Sequence, residues 1–438
     1  MRALYLRAPW ALPIDAAPIP DAALLIGGDG RIAAVGPVAS VPVPDNARSL
    51  HLTDSVILPG LINAHTHLEL TGFGERAPER EFREWILTIR RLKQARRPEE
   101  FLVAARRGLQ ECWASGVTTI AETGDSGAVV EALAEAGGSG IVYHEVFGPH
   151  PDQLEESLAG LQKRIRELRA RATGRVRLGV SPHAPYTVSG PLYSGVAAWA
   201  AAEQLPIAVH VAESSAEFEF VSRHTGPFAD GWTARGIPLL DDARHQPSGH
   251  QPSGSLPLSP VRWLDLHGVL GPRALCIHAV QLDQSDIRLL AERRVAIAHC
   301  PLSNARHGHG KAPLGALLRA GLRVGIGTDS VASVGRLDLL AEARAARALA
   351  DLSAGEALAL CTLEGAMALG LAGEIGSLTP RKWGDVIAVR RGSAPPGGGI
   401  ASDDPAEFVL GSGPEDVALT VLAGRVVHRA PGQDGAPA

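Results

Sequence analysis

Apolar residues along this chain fall into short runs, and the style of the runs changes twice. Up to about residue 58 they are brief and split by turn signals: ALLIGGDGRIAAVG, then HLTDSVILPG. The GGDG at 27–30 between two apolar runs reads as a hairpin turn. The C-terminal stretch returns to this style in WGDVIAVRRGS and DVALTVLAGRVVHR. Two β-rich ends around a long middle predict one small β-sandwich built from residues 1–58 and 373–438, which ties down ends that otherwise fray.

Between about 59 and 372 the pattern alternates. Eight β-type runs appear: LINAHTHLEL, GVTTIAETG, GIVYHEVFG, VRLGVSPHA, PIAVHVAES, ALCIHAVQL, VAIAHCPLS and RVGIGTDSV. Amphipathic stretches such as EEFLVAARRGLQECWASG and LEESLAGLQKRIRELRARA separate them. That count and alternation predict an α/β fold, a (β/α)₈ TIM barrel over 59–372. A doubly wound open sheet is the alternative, but no GxGxxG phosphate loop opens the unit. One segment breaks the alternation. DDARHQPSGHQPSGSLPLSP at 241–260 repeats HQPSG at 245–249 and 250–254, and reads as a surface loop whose His245 and His250 are inert copies.

Composition narrows the function classes. With 45% hydrophobic residues the chain can bury a large core, and a net charge of −5 over 438 residues implies neither a nucleic-acid nor a membrane partner. The N-terminal MRALYLRAPWALPIDAAPIP is broken by Pro9, Pro13 and Asp15, so it reads as neither signal peptide nor membrane span. Cys112, Cys276, Cys300 and Cys361 lie far apart without CxxC spacing and read as reduced thiols, which makes a cytoplasmic location the expectation. A homo-oligomer is left open. Only four lysines stand against abundant arginine, a compositional bias that discounts any arginine cluster.

In a parallel barrel the ends of the strands share one mouth, so polar residues there converge. The first run ends in His65 and His67, two residues apart on one strand face. The fifth ends in His210, the sixth in His278 and the eighth in Asp329. Neutral imidazoles with one carboxylate suit zinc or ferrous iron, with a coordination position left for water.

The motifs PGLINAHTHLEL, SPHAPYTVS, AVHVAES, CIHAVQLD, AIAHCPLSN and GIGTDSVAS, in this order, resemble the amidohydrolase superfamily, specifically its cytosine deaminase and chlorohydrolase-like branch. The resemblance implies one divalent ion per chain, zinc or else iron, held by His65, His67, His210 and Asp329, with no carboxylated lysine. It implies that His278 hydrogen-bonds the attacking water and that Glu213, three residues after His210, shuttles a proton to a ring nitrogen of the substrate. Asp329 would accept the water's proton and pass it to the departing amine. By the same resemblance Trp85 and His183 contact substrate, whereas His299 and Asn304 support the mouth. His307 and His309, in a glycine-rich loop, receive no role.

Substrates of such relatives range from cytosine and guanine to S-adenosylhomocysteine, methylthioadenosine and chlorinated triazines. The stretch after Trp85, WILTIRRLKQARR, is basic, so Arg90, Arg91 and Lys93 are expected to attract an anionic substituent. That points to a nucleoside-like small molecule, 6-amino-6-deoxyfutalosine of menaquinone biosynthesis, with S-adenosylhomocysteine/methylthioadenosine or guanine deamination as the alternative. Cyclic-amide hydrolysis and a non-catalytic barrel scaffold fit less well, because the HxxE signature and every ligand position are filled.

Overall fold

In a computed structural model the protein is described over residues 1–239, 258–390 and 404–431. The doubled HQPSG with His245 and His250 lies outside the described residues. The N-terminal part forms β1 (Leu4–Ala11), β2 (Ile19–Ile26), β3 (Ile32–Pro37), β4 (Arg48–His51) and β5 (Ser55–Pro59). The hairpin turn at 27–30 joins β2 to β3. All eight runs of the middle become strands: β6 (Leu61–Thr66), β7 (Val117–Gly124), β8 (Ser139–Val146), β9 (Arg175–Pro182), β10 (Ile207–Val211), β11 (Ala274–His278), β12 (Ala296–His299) and β13 (Arg323–Ile326). The C-terminal part adds β14 (Val386–Arg390), β15 (Val417–Leu422) and β16 (Arg425–Arg429).

β6 to β13 pair in sequence order and all in parallel, with helices outside. Ala64, Ala121, Ile141, Tyr143, Ala208 and Ile277 fill the barrel interior, and residues of the segment 366–375 join this cluster. Burial on both faces explains why these runs read as continuously apolar rather than alternating. The barrel closes between β6 and β13. Thr66 and Asp329 form a parallel bridge, and the Asp329 N–H donates to the His65 carbonyl at 3.0 Å. The Asn63 side chain donates to Thr328 Oγ1 at 2.8 Å and accepts from the Thr328 N–H at 3.1 Å. Gly327 makes the approach sterically feasible, because a Cβ there would lie 2.7 Å from both the Cβ and the backbone nitrogen of His65.

The two chain ends form one sheet in the order β16-β15-β14-β5-β1-β2-β3, with β4 on β1. It curls on itself, so that Leu24 and Ile26 share a core with Val386, Leu419 and Val421, which is the packing of a sandwich. Between β6 and β7 lie α1 (Phe82–Ala95) and α2 (Pro98–Ala114). α2 packs on the barrel wall, burying Ala105, Leu109 and Cys112, and α1 contributes Phe82 to the mouth. All four cysteines are buried free thiols. Among the described residues no helix is long and apolar enough to cross a membrane.

One ion pair ties the barrel to the terminal sheet. Arg175, at the start of β9, donates through Nη1 to Asp385 Oδ1 at 2.8 Å and through Nη2 to Oδ2, and the same Oδ1 accepts the Ala423 N–H at 2.9 Å. Asp385 is almost fully buried, and the Trp383 ring lies 4.9 Å from the Arg175 guanidinium. Removing one partner of such a pair strands the other charge. Asp385→Ala is therefore expected to lower stability by about 3 kcal/mol, read as a fall in the thermal midpoint, and Asp385→Asn by less. An unchanged midpoint in Asp385→Ala would show that this contact does not couple the two parts.

Candidate metal centre and active site

The barrel brings His65, His67, His210, His278 and Asp329 together at one end. Ring centroids of His65 lie 4.8 Å from His67, 5.0 Å from His210 and 5.7 Å from His278. Asp329 Oδ1 lies 3.9 Å from His65 Nε2 and 3.6 Å from His67 Nε2. Ligand atoms of His65, His67 and Asp329 all fall within 4.8 Å of one another, as do those of His65, His210 and His278.

Each imidazole but one is oriented from behind. His67 Nδ1 donates to the Thr123 carbonyl at 2.8 Å, and His210 Nδ1 to the His183 carbonyl at 3.1 Å. His278 Nδ1 donates to Asn304 Oδ1 at 3.0 Å. These bonds fix the tautomer and leave Nε2 for the centre. Asp329 accepts from Ser303 Oγ at 2.6 Å and from the Ser330 N–H at 2.6 Å. His278 and Asp329 both adopt left-handed backbone, φ 70° and 59°, a conformation that costs a non-glycine residue about 1–2 kcal/mol. Such strain persists where the surrounding structure enforces it, and here it lets two strand ends turn their side chains into the mouth.

The exception is His65. It is buried, and neither ring nitrogen has a hydrogen-bond partner. Leaving such a group unsatisfied costs about 1–3 kcal/mol, and a divalent ion at the centre would satisfy Nε2, the nitrogen on the Asp329 side. The protonation states fit the same occupant. Burial, then neighbouring His67 and His210, holds His65 well below the usual histidine range, and burial followed by His67 pushes His210 down to about 3. Burial raises the Asp329 carboxyl, but His67 and His278 outweigh it and keep the group ionised. Neutral imidazoles and one carboxylate are the donor set that zinc or ferrous iron accepts.

Glu213 lies two residues past the end of β10, buried, with Oε1 3.4 Å from His278 Nε2 and 3.3 Å from His309 Nε2. Burial raises its carboxyl, and the close approach of His278 and then His309 more than offsets this, leaving it below the usual range. Glu217 holds the turn, accepting from the Ala212 N–H at 2.8 Å and the Glu213 N–H at 2.9 Å.

His183 stands beside His210, ring centroids 4.8 Å apart, its Nδ1 bonded to Thr187 Oγ1 at 2.9 Å. Trp85 is buried in a cluster with Leu70, Phe73 and Ile89, and meets the mouth through the His307 ring at 4.7 Å. Phe82 is nearer the chemistry, its ring 4.5 Å from His309. Sequence reasoning passed over Phe82, assigned His309 nothing and gave Ser303 no role. The HGHG context of His309 looks like a flexible loop, and only the fold reveals that it returns to Glu213. Asn304 does support the mouth, through His278. Of the basic residues after Trp85, Lys93 is bound to Glu69 at 2.7 Å and Asp125 at 2.6 Å, and Arg91 donates to Thr88 Oγ1 at 2.8 Å. Arg90 is exposed.

Residues 56–427 match the amidohydrolase family. A 5-methylthioadenosine/S-adenosylhomocysteine deaminase of Pelotomaculum thermopropionicum is 33% identical over 423 residues, covering 93% of this chain and 88% of the relative. A 5′-deoxyadenosine deaminase of Methanothermobacter thermautotrophicus is 30% identical over 429 residues, covering 95% and 91%. Among solved structures, an adenosine deaminase from Xanthomonas campestris with bound zinc superposes with a TM-score of 0.81 at 25% identity, covering 97% of this chain and 93% of that one. The chain belongs to the amidohydrolase family and is a metal-dependent hydrolase acting on C–N bonds.

Proposed function

We propose that the protein hydrolyses the 6-amino group of an adenine nucleoside, with 5′-methylthioadenosine, S-adenosylhomocysteine or 5′-deoxyadenosine as the substrate class. The observation that carries this reading is Glu213, a buried carboxylate held by His278 and His309 at the edge of the histidine cluster. An acid–base group there is what attack on an aromatic amidine carbon requires, because the carbon becomes electrophilic as the adjacent ring nitrogen is protonated. The names of the relatives support the same class.

In this reading His65, His67, His210 and Asp329 hold one zinc ion, which when bound lowers the pKa of water to about 7. His278, fixed through Nδ1 by Asn304, orients the attacking water with Nε2. Asp329 takes the water's proton and returns it to the departing amine. Glu213, ionised at rest, takes up the other proton of the water and delivers it to the ring nitrogen, and His309 keeps its carboxylate in place.

A second reading within the class is 6-amino-6-deoxyfutalosine, whose carboxylate would need a cation near the mouth. Its support is Arg90, which is exposed on the face of α1 that carries Arg83. Arg235 stands near both, its guanidinium held below the usual range by burial and then by Arg90 and Arg83. Lys93, spent on Glu69 and Asp125, gives it none.

Two measurements test the function. Glu213→Gln should retain metal, by elemental analysis, while losing about 10² to 10⁴ in turnover; His210→Ala should lose metal and activity together. Near-normal turnover in metal-loaded Glu213→Gln would remove Glu213 from the chemistry. In a side-by-side comparison of kcat/KM, adenine nucleosides should exceed guanine by at least about tenfold, a margin of roughly 1.4 kcal/mol. Guanine winning by that margin would overturn the nucleoside assignment. If Arg90→Ala raises KM only for the carboxylated nucleoside, the second reading is the correct member of the class.

A further inference from the structure

On the helix Leu339–Ala350, outside the strands of the barrel, stands a buried carboxylate that the chemistry above does not use. Glu342 is 1% exposed. Its Oε2 accepts the Leu302 N–H at 2.9 Å, and Oε1 has no hydrogen-bond partner. Burial raises the carboxyl well above the usual range, the Leu302 N–H works against this, and the charge of Asp329 adds to the rise. An acid kept in such a place needs a reason, because a buried polar oxygen left unpaired is costly.

The reason lies in the helix that Leu302 helps to begin. Pro301–Arg306 is six residues long; Pro301 has no N–H, and Cys300 at the cap makes no side-chain bond. Leu302 therefore carries the first orphan donor of that helix, and Glu342 takes it. The next two residues both reach the site. Ser303 Oγ donates to Asp329 Oδ2 at 2.6 Å, while Oδ1 of the same carboxylate faces His67 Nε2 at 3.6 Å. Asn304 accepts His278 Nδ1 at 3.0 Å through its side chain and the His309 N–H at 2.9 Å through its carbonyl. We infer that Glu342 is a positioning residue of the metal site, holding the first turn of this helix so that Ser303 aims the Asp329 carboxylate and Asn304 aims His278. This rests on the reading of Asp329 as a ligand of the ion. Glu342 acts through the Leu302 backbone, so its loss is felt as a looser ion and a misaimed water rather than as a lost substrate contact.

The test measures zinc retention against a chromophoric chelator, kcat and KM for the best adenine nucleoside, and the thermal midpoint. It compares the zinc-loaded wild type with Glu342→Met, Glu342→Gln and Glu342→Asp. Methionine fills a similar volume but offers the Leu302 N–H no oxygen. Glu342→Met should bind zinc about tenfold to a hundredfold more weakly and lose kcat, with KM changed less than about threefold. Glu342→Gln, which keeps an acceptor, should retain most of both. Glu342→Asp withdraws the carboxyl by one methylene and should show a smaller loss of the same kind, which keeps the test open if Glu342→Met fails to fold. In a Ser303→Ala background, where the route to Asp329 is already cut, Glu342→Met should weaken zinc by less than about threefold more. A lower thermal midpoint with zinc affinity and kcat unchanged in folded Glu342→Met or Glu342→Asp would overturn the inference, as would full multiplication of the zinc losses with Ser303→Ala. A wild type that holds no zinc would instead overturn the metal reading on which it rests.

Discussion

The site depends on how closely the eighth barrel strand can approach the first. His65 and His67 sit on β6 and its exit, Asp329 just past β13, and they meet only because the barrel closes there. Gly327 is the steric condition, since any side chain at that position would collide with the backbone of His65. The Asn63–Thr328 pair and the Asp329 N–H to His65 carbonyl bond then lock the register. Parallel strands in one register deliver their last residues at a common height, so the strand ends that carry ligands are placed by the same hydrogen bonds that make the fold.

Closing the barrel also sets the electrostatics. Packed into a dry space beside one another, His65 and His210 are held below the usual histidine range by burial and mutual repulsion, and so stand neutral. That is the state a metal demands. Backbone carbonyls of Thr123 and His183 and the amide of Asn304 take up the outward nitrogens of His67, His210 and His278, whereas neither ring nitrogen of His65 has a hydrogen-bond partner. The arrangement is costly without a cation and relieved by one. Glu213 is held outside this cluster by His278 and His309, close to the centre yet separately anchored, which suits a group that moves protons.

Much of this was legible in the sequence because strand ends in a barrel are predictable from periodicity alone. Each of the eight apolar runs became a strand, and His65, His67, His210, His278 and Asp329 converge because each lies at or just beyond the end of one. What escaped was whatever depends on loops folding back. His309 reaches Glu213 from a glycine-rich stretch with no periodic signal, and Phe82 meets it from the first turn of a helix that looks merely amphipathic. Lys93 read as a free cation, but the fold turns it inward onto Glu69 and Asp125, acids that stand 24 and 32 residues away in the chain. Glu342 was hidden for the opposite reason. It sits in a regular helix, LLAEARAARALA, where a single acid looks solvent-facing until its burial and its bond to Leu302 are seen.

The central claim is that this barrel holds a single ion between His65, His67, His210 and Asp329, with Glu213 and His278 acting from outside its coordination shell. Anomalous diffraction from crystals of the metal-loaded protein, collected at the zinc and iron edges, tests it directly. The account requires one strong peak per chain at bonding distance from those four residues and from no oxygen of Glu213. Two peaks, or one centred between Glu145, His183 and His210, would contradict it.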